Sequence, residues 1–194
     1  MTGPGVSRRA GPADRWPTAL GLAAVAGAVT VIVLLDREAE LFGPAVATMA
    51  AIYLAAYGTG RPVSAWPAFV VLSAVVSVLH VLRLSGATTL DPAVGMAGVL
   101  LVLWCWLLLR RLFTDVPRFW VQTAGMVVFG ALTLLCAAVQ PALGTAVAGA
   151  AFLAHGAWDM YHFKADKVVN RPWSEFCAVV DAGVGTALIA AALL

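Results

Sequence analysis

Charge is scarce in this 194-residue chain: Asp, Glu, Lys and Arg make up 11% of it and apolar residues 62%, against the ~45–50% apolar share usual in soluble domains. So little charge leaves no basic face for nucleic acid, and no nucleic-acid partner is expected. Cysteine is scarcer still. Cys105, Cys136 and Cys177 are odd in number and fall in three different apolar runs, which excludes a disulfide framework and reads as small buried hydrophobes. The chain has no Walker loop, GxSxG elbow, HExxH or strand-borne GxGxxG, so the common signatures of nucleotide, serine-hydrolase, zincin and dinucleotide chemistry are missing. Its only lysines, Lys164 and Lys167, leave none in mid-membrane to carry a retinal Schiff base. No internal repeat supports the inverted halves of many transporters.

What is there is apolar sequence in helix-length runs. At about 20 residues per span the chain holds roughly seven helices and no soluble domain. We expect an all-α integral membrane protein, with a disordered tail over residues 1–16 and one transmembrane domain over residues 17–194. The expected spans cover Thr18 to Leu35, Pro44 to Gly60, Trp66 to Leu84, Pro92 to Leu109, Phe119 to Val139, Ala142 to Phe163 and Ser174 to Leu194. Asp91 reads as the cap of the fourth helix. The first run is long for the apolar segment of a signal peptide, so it is read as a retained span.

Ten of the twelve Lys and Arg residues fall on one side of this arrangement, leaving only Arg37 and Arg83 on the other. The positive-inside rule then places the N-terminus in the cytoplasm and the C-terminus outside, in a multi-pass protein of the cell membrane. Small residues such as Ala23 and Gly27, Gly144 and Ala148, and Gly183 and Ala187 are spaced for close helix packing.

Against this background the stretch HGAWDMYHFKAD, from His155 to Asp166, stands out. On a helix His155, Asp159, His162 and Asp166 lie at roughly 0°, +40°, −20° and +20°, one stripe on one face. Ionisable groups inside a membrane are costly and mark functional sites. Asp181 in the next span falls between the estimated depths of His155 and Asp159, and antiparallel neighbours joined by a short loop should touch. We therefore expect His155, Asp159, His162 and Asp181 to form a metal site from two helices. Mixed imidazole and carboxylate donors suit zinc, iron or manganese. Heme is disfavoured, because His155 and His80 differ in depth by about 12 Å on the helical rise. Asp166 reads as an interfacial ion pair beside Lys164 and Lys167.

Several other residues are candidates for the surroundings. Tyr53 and Tyr57, one turn apart, need hydroxyl partners in lipid, and Tyr57 is taken with Asp159 and Asp181 as a catalytic candidate. Trp158 reads as a site wall or an interfacial anchor, Tyr161 as an anchor and Ser174 as a helix cap. Ser73, Ser77 and His80 share a face of the third span and give a stepped polar route across the membrane. The leading expectation is a metal-dependent enzyme acting from the cytoplasmic side on a lipid or isoprenoid-like substrate, by hydrolysis or oxidation. Two alternatives stand beside it: a small proton-coupled transporter or channel, and a metal-free cyclase in which a buried aspartic acid is the general acid.

Overall fold

The computed structural model describes residues 15–35, 38–112 and 115–194. Most of the tail expected over residues 1–16 lies outside the described residues, as do Asp36 and Arg37 of the first link. Among the described residues the long elements are all helical: α1 (Trp16–Leu35), α2 (Glu38–Thr59), α3 (Ala65–Leu84), α4 (Pro92–Leu109), α5 (Val116–Ala138), α6 (Pro141–Ala165) and α7 (Arg171–Ala192). A 3-10 turn, Pro62–Ser64, leads into α3.

Proline sits in the first two positions of α4, α5, α6 and α7, where its missing N–H has no intrahelical partner to lose. Asp91 caps α4 as its sequence predicts, accepting from Ala93 N at 2.7 Å. α7 begins three residues before the expected Ser174, because Asn170 provides the cap by accepting from Trp173 N at 3.2 Å. That puts Ser174 one turn inside the helix and fully buried.

Six of the helices are long and apolar enough to cross a membrane. The bundle is also apolar outside, while its most polar side chains are buried within an otherwise apolar core. Val33, Val70 and Val102 are 76%, 66% and 68% exposed, whereas Gln122, His155, Asp159 and Asp181 are 2%, 1%, 0% and 2% exposed. In water this distribution would be prohibitive, and in lipid it is the stable one. The chain is a helical membrane protein. The exception in apolarity is α6, which has ample length at 25 residues but carries the ionisable stripe.

α2 is the central helix and touches α3, α4, α5 and α6, while α6 and α7 form the most extensive pairing and α1 packs chiefly on α7. Glycines set the closest approaches. A Cβ on Gly149 would lie 3.0 Å from the Gly185 carbonyl oxygen, and one on Gly185 would lie 2.9 Å from that of Gly149. α1 reaches α7 in the same way, since a Cβ on Gly183 would meet Val25 at 2.6 Å. Gly27 takes no part, with nothing within 4 Å of its Cβ direction.

α2 begins two turns earlier than expected and so takes Pro44 into its interior. Proline has no N–H, so the helix cannot supply the donor that the Glu40 carbonyl would receive from four residues on. His80 of α3 faces that carbonyl with a ring nitrogen: its Nε2 lies 2.9 Å from Glu40 O and its Nδ1 2.8 Å from Val76 O, so the ring donates to both only as an imidazolium. His80 thus repairs a proline gap, a role no pattern in the sequence announces. Replacing it with alanine should lower stability by about 0.5–1.5 kcal/mol, the net worth of one hydrogen bond, here at an exposed carbonyl. In the background Pro44→Ala, which restores the N–H, the loss should shrink. A double-mutant cycle of unfolding free energies measures the coupling, and strictly additive losses would overturn this account.

Candidate metal centre

The buried face of α6 runs through Ala148, Phe152, His155, Asp159 and His162, the i, i+3, i+4, i+7 spacing of one helical stripe. It meets the face of α7 that carries Ser174, Asp181 and Gly185. The reciprocal contact of Gly149 and Gly185 draws the two backbones together about two turns from His155. At the site itself the approach is looser, since a Cβ on Gly156 would stand 3.4 Å from Asp181 Cβ, an ordinary van der Waals contact.

This approach brings three ionisable side chains into one cluster. His155 Nδ1 lies 2.7 Å from Asp181 Oδ2 and 3.4 Å from Asp159 Oδ2. One potential ligand atom from each of His155, Asp159 and Asp181 lies within 4.8 Å of the others. Tyr53 of α2 completes the group by donating from its hydroxyl to Asp159 Oδ1 at 2.6 Å. The Phe129 ring stands edge-on to His155, with centroids 4.8 Å apart. Asp159 Oδ2 and His155 Nε2 are buried and have no hydrogen-bond partner. Two carboxylates sealed from water with a single imidazole need compensating positive charge, supplied by protons or by a cation.

His162, expected as a fourth ligand, stands outside this cluster. Its Nδ1 lies 3.0 Å from the Trp158 carbonyl and so carries the proton, leaving Nε2 to accept from Gln122 Nε2 at 3.1 Å. Both ring nitrogens are therefore engaged by protein. Tyr57 is likewise displaced from its expected place: its hydroxyl donates to Leu112 O at 2.6 Å, and Tyr53, one turn earlier, meets the aspartate instead. Trp158 packs inward, its ring centroid 4.9 Å from that of His162 and 6.3 Å from that of Tyr53. Tyr161 is 54% exposed, as an anchor would be. Asp166 ends α6 in the left-handed conformation at φ 50° and pairs with Arg171 at 3.4 Å.

A cavity of about 170 Å³ adjoins the cluster, its wall including Tyr53, Ser73, His155, Trp173, Cys177 and Asp181. A separate cavity of about 290 Å³ is lined by Glu40, His80, Arg83, Asp91 and Thr133. The two have no lining residue in common, so Ser73 and His80 of the expected polar route border different spaces. Sequence reasoning missed Gln122 as the partner of His162 and Trp173 as a wall of the cavity. The signal for Gln122 was polarity in an apolar run; Trp173, set among Asn170, Arg171, Ser174 and Glu175, gave none. Comparison with protein-family models, curated proteins and solved structures finds no match for the chain.

Proposed function

We propose that the protein is a seven-span enzyme of the cell membrane, with a cytoplasmic N-terminus, that holds a divalent metal at His155, Asp159 and Asp181 and acts on a lipid-like substrate. The observation that carries this reading is the buried cluster of one imidazole and two carboxylates with ligand atoms within 4.8 Å of one another. A divalent cation would balance both carboxylates at once, and its donor set suits zinc, iron or manganese. Such an ion supplies an activated water or a polarised substrate oxygen, in hydrolysis or oxidation. Tyr53 holds Asp159 through Oδ1 and leaves Oδ2 directed at the cluster, the supporting contact that ligating carboxylates have. Gln122 and Trp158 fix His162 beside this centre as a neutral imidazole, one turn nearer the end of α6.

The test is elemental analysis of the detergent-purified protein alongside His155→Ala and Asp181→Ala. The expected result is one zinc, iron or manganese per wild-type chain, absent from both variants. Metal retained in both variants would remove the ligand assignment. A metal-free wild type, purified without chelator, would instead favour proton chemistry. That second reading rests on the hydrogen bonds from Tyr53 to Asp159 and between His155 and Asp181, two proton-bearing pairs separated by 3.4 Å between His155 Nδ1 and Asp159 Oδ2.

A further inference from the structure

Two cavities open at the end of the bundle where α5 begins and α6 stops. One, of about 280 Å³, has Asp115, Arg118, Gln122, His162 and Lys167 in its wall. The other, of about 290 Å³, lies against Tyr57 and Pro62. Each is close to the ~300 Å³ at which small-molecule pockets begin. Arg118, Lys167 and Val168 belong to both walls, so a molecule in either space meets the same two cations. Cations gather at a cytoplasmic face for topological reasons alone. What sets this pair apart is how each side chain is held and what it leaves open.

The loop after α6 is pinned on both sides of Val168. Asp166 pairs with Arg171 at 3.4 Å rather than with the lysines beside it, Val169 is 1% exposed, and Asn170 caps α7. Val168 itself takes φ 73°, a left-handed conformation that β-branched residues avoid and that collects at functional sites. Its neighbour Lys167 is exposed and makes no hydrogen bond or ion pair among the described residues. Arg118 has 48% of its side chain exposed and gives one nitrogen, Nη1, to Asp115 at 2.7 Å. The rest of its five-donor fork is open. Against these two cations the shared walls set one carboxylate, Asp115, which Arg118 already answers.

We propose that these cavities bind a phosphate ester, with the phosphate oxygens bridging the Arg118 guanidinium and the Lys167 ammonium. A planar fork and a point charge facing one space suit the three acceptor oxygens of a phosphate. Two cavities on one pair of cations leave room for the group that the phosphate carries. His162 borders the first of them and stands three residues along α6 from Asp159, about 4.5 Å of helical rise, so the phosphate lies close to the ionisable cluster. That the ester is the substrate, a phosphorylated lipid, rests on the function proposed above; that the phosphate binds does not.

The test titrates dihexanoyl phosphatidic acid, dihexanoylglycerol and glycerol 3-phosphate calorimetrically into the full chain in nonionic detergent. Salt is held at ~0.15 M, where exposed charges more than about 8 Å apart are largely screened. The double variant Arg118→Gln/Lys167→Gln sets the baseline for partition into detergent. The wild type should bind the phosphatidic acid about tenfold or more tightly than the phosphate-free diacylglycerol. Arg118→Gln and Lys167→Gln should each weaken it about tenfold, the loss of one charge-assisted hydrogen bond. Lys164→Gln makes the same change of charge at a residue lining neither cavity and should leave binding as it is. Asp115→Asn, which releases Arg118, should tighten it. Glycerol 3-phosphate binding with the same dependence on Arg118 and Lys167 would assign the site to phosphate esters whether free or lipid-borne. Its failure beside bound phosphatidic acid would assign the site to a lipid headgroup, and either result sustains the proposal. An equal loss in Lys164→Gln would reduce the effect to the charge of the whole face, and no preference over the diacylglycerol would overturn the proposal outright. Metal content measured on the same preparations separates the two readings: metal without phosphate binding sinks only this one, and phosphate binding without metal sinks only the metal centre.

Discussion

Replacing Gly185 with leucine should lower stability by more than about 3 kcal/mol, beyond the usual range for overpacking. The reason is what the new side chain meets. Its first carbon alone would stand 2.9 Å from the Gly149 carbonyl oxygen and 2.9 Å from Leu153 Cγ. A flexible side chain could swing aside, but the backbone of α6 cannot move without separating the two helices. That separation opens the 2.7 Å contact of His155 with Asp181, so the variant should lose the cluster as well as stability. The same leucine at Gly27, where nothing lies within 4 Å of the Cβ direction, should change stability by less than about 1 kcal/mol. Unfolding in a mixed detergent titration measures both. Comparable losses at the two positions would show that lipid packing in general, rather than the contact of α6 and α7, limits stability.

The bundle was largely legible in the chain because lipid imposes few options: apolar runs of helix length, punctuated by proline and glycine, leave little but helices. The start of α2 was not. Its charged residues read as a link between spans, yet Glu and Ala are strong helix formers, and α2 runs on through Pro44 although proline removes one helix hydrogen bond and disfavours helix at the residue before it. α6 shows the reverse difficulty. Its ionisable residues lower its average apolarity below that of its neighbours, although they face inward and the lipid never meets them. Periodicity revealed the stripe from His155 to His162, and depth matched Asp181 to it. What periodicity cannot give is how neighbouring helices are rotated about their own axes. That rotation chose Tyr53 over Tyr57 and turned His162 toward Gln122 on α5, a helix whose place beside α6 no pattern in either sequence fixes.

A single apolar substitution within the cluster should cost more than removal of the whole cluster. In His155→Leu the carboxylates of Asp159 and Asp181 stay buried, at 0% and 2% exposure, after losing the imidazole that lies between them. Breaking a buried charged group in this way costs about 3–5 kcal/mol, because the partners left behind are uncompensated. If His155, Asp159 and Asp181 all become leucine and Tyr53 becomes phenylalanine, no polar group of the cluster is left without its partner. The fourfold variant should then recover to within about 1 kcal/mol of the wild type or exceed it, as apolar replacements of buried ion pairs often do. It should hold no metal. Stability that falls further with each added substitution would make the cluster a structural brace and weaken the case for chemistry there. Recovery would mean that a bundle able to stand without these four polar side chains nevertheless carries them, at a cost in desolvation that folding alone gives no reason to bear.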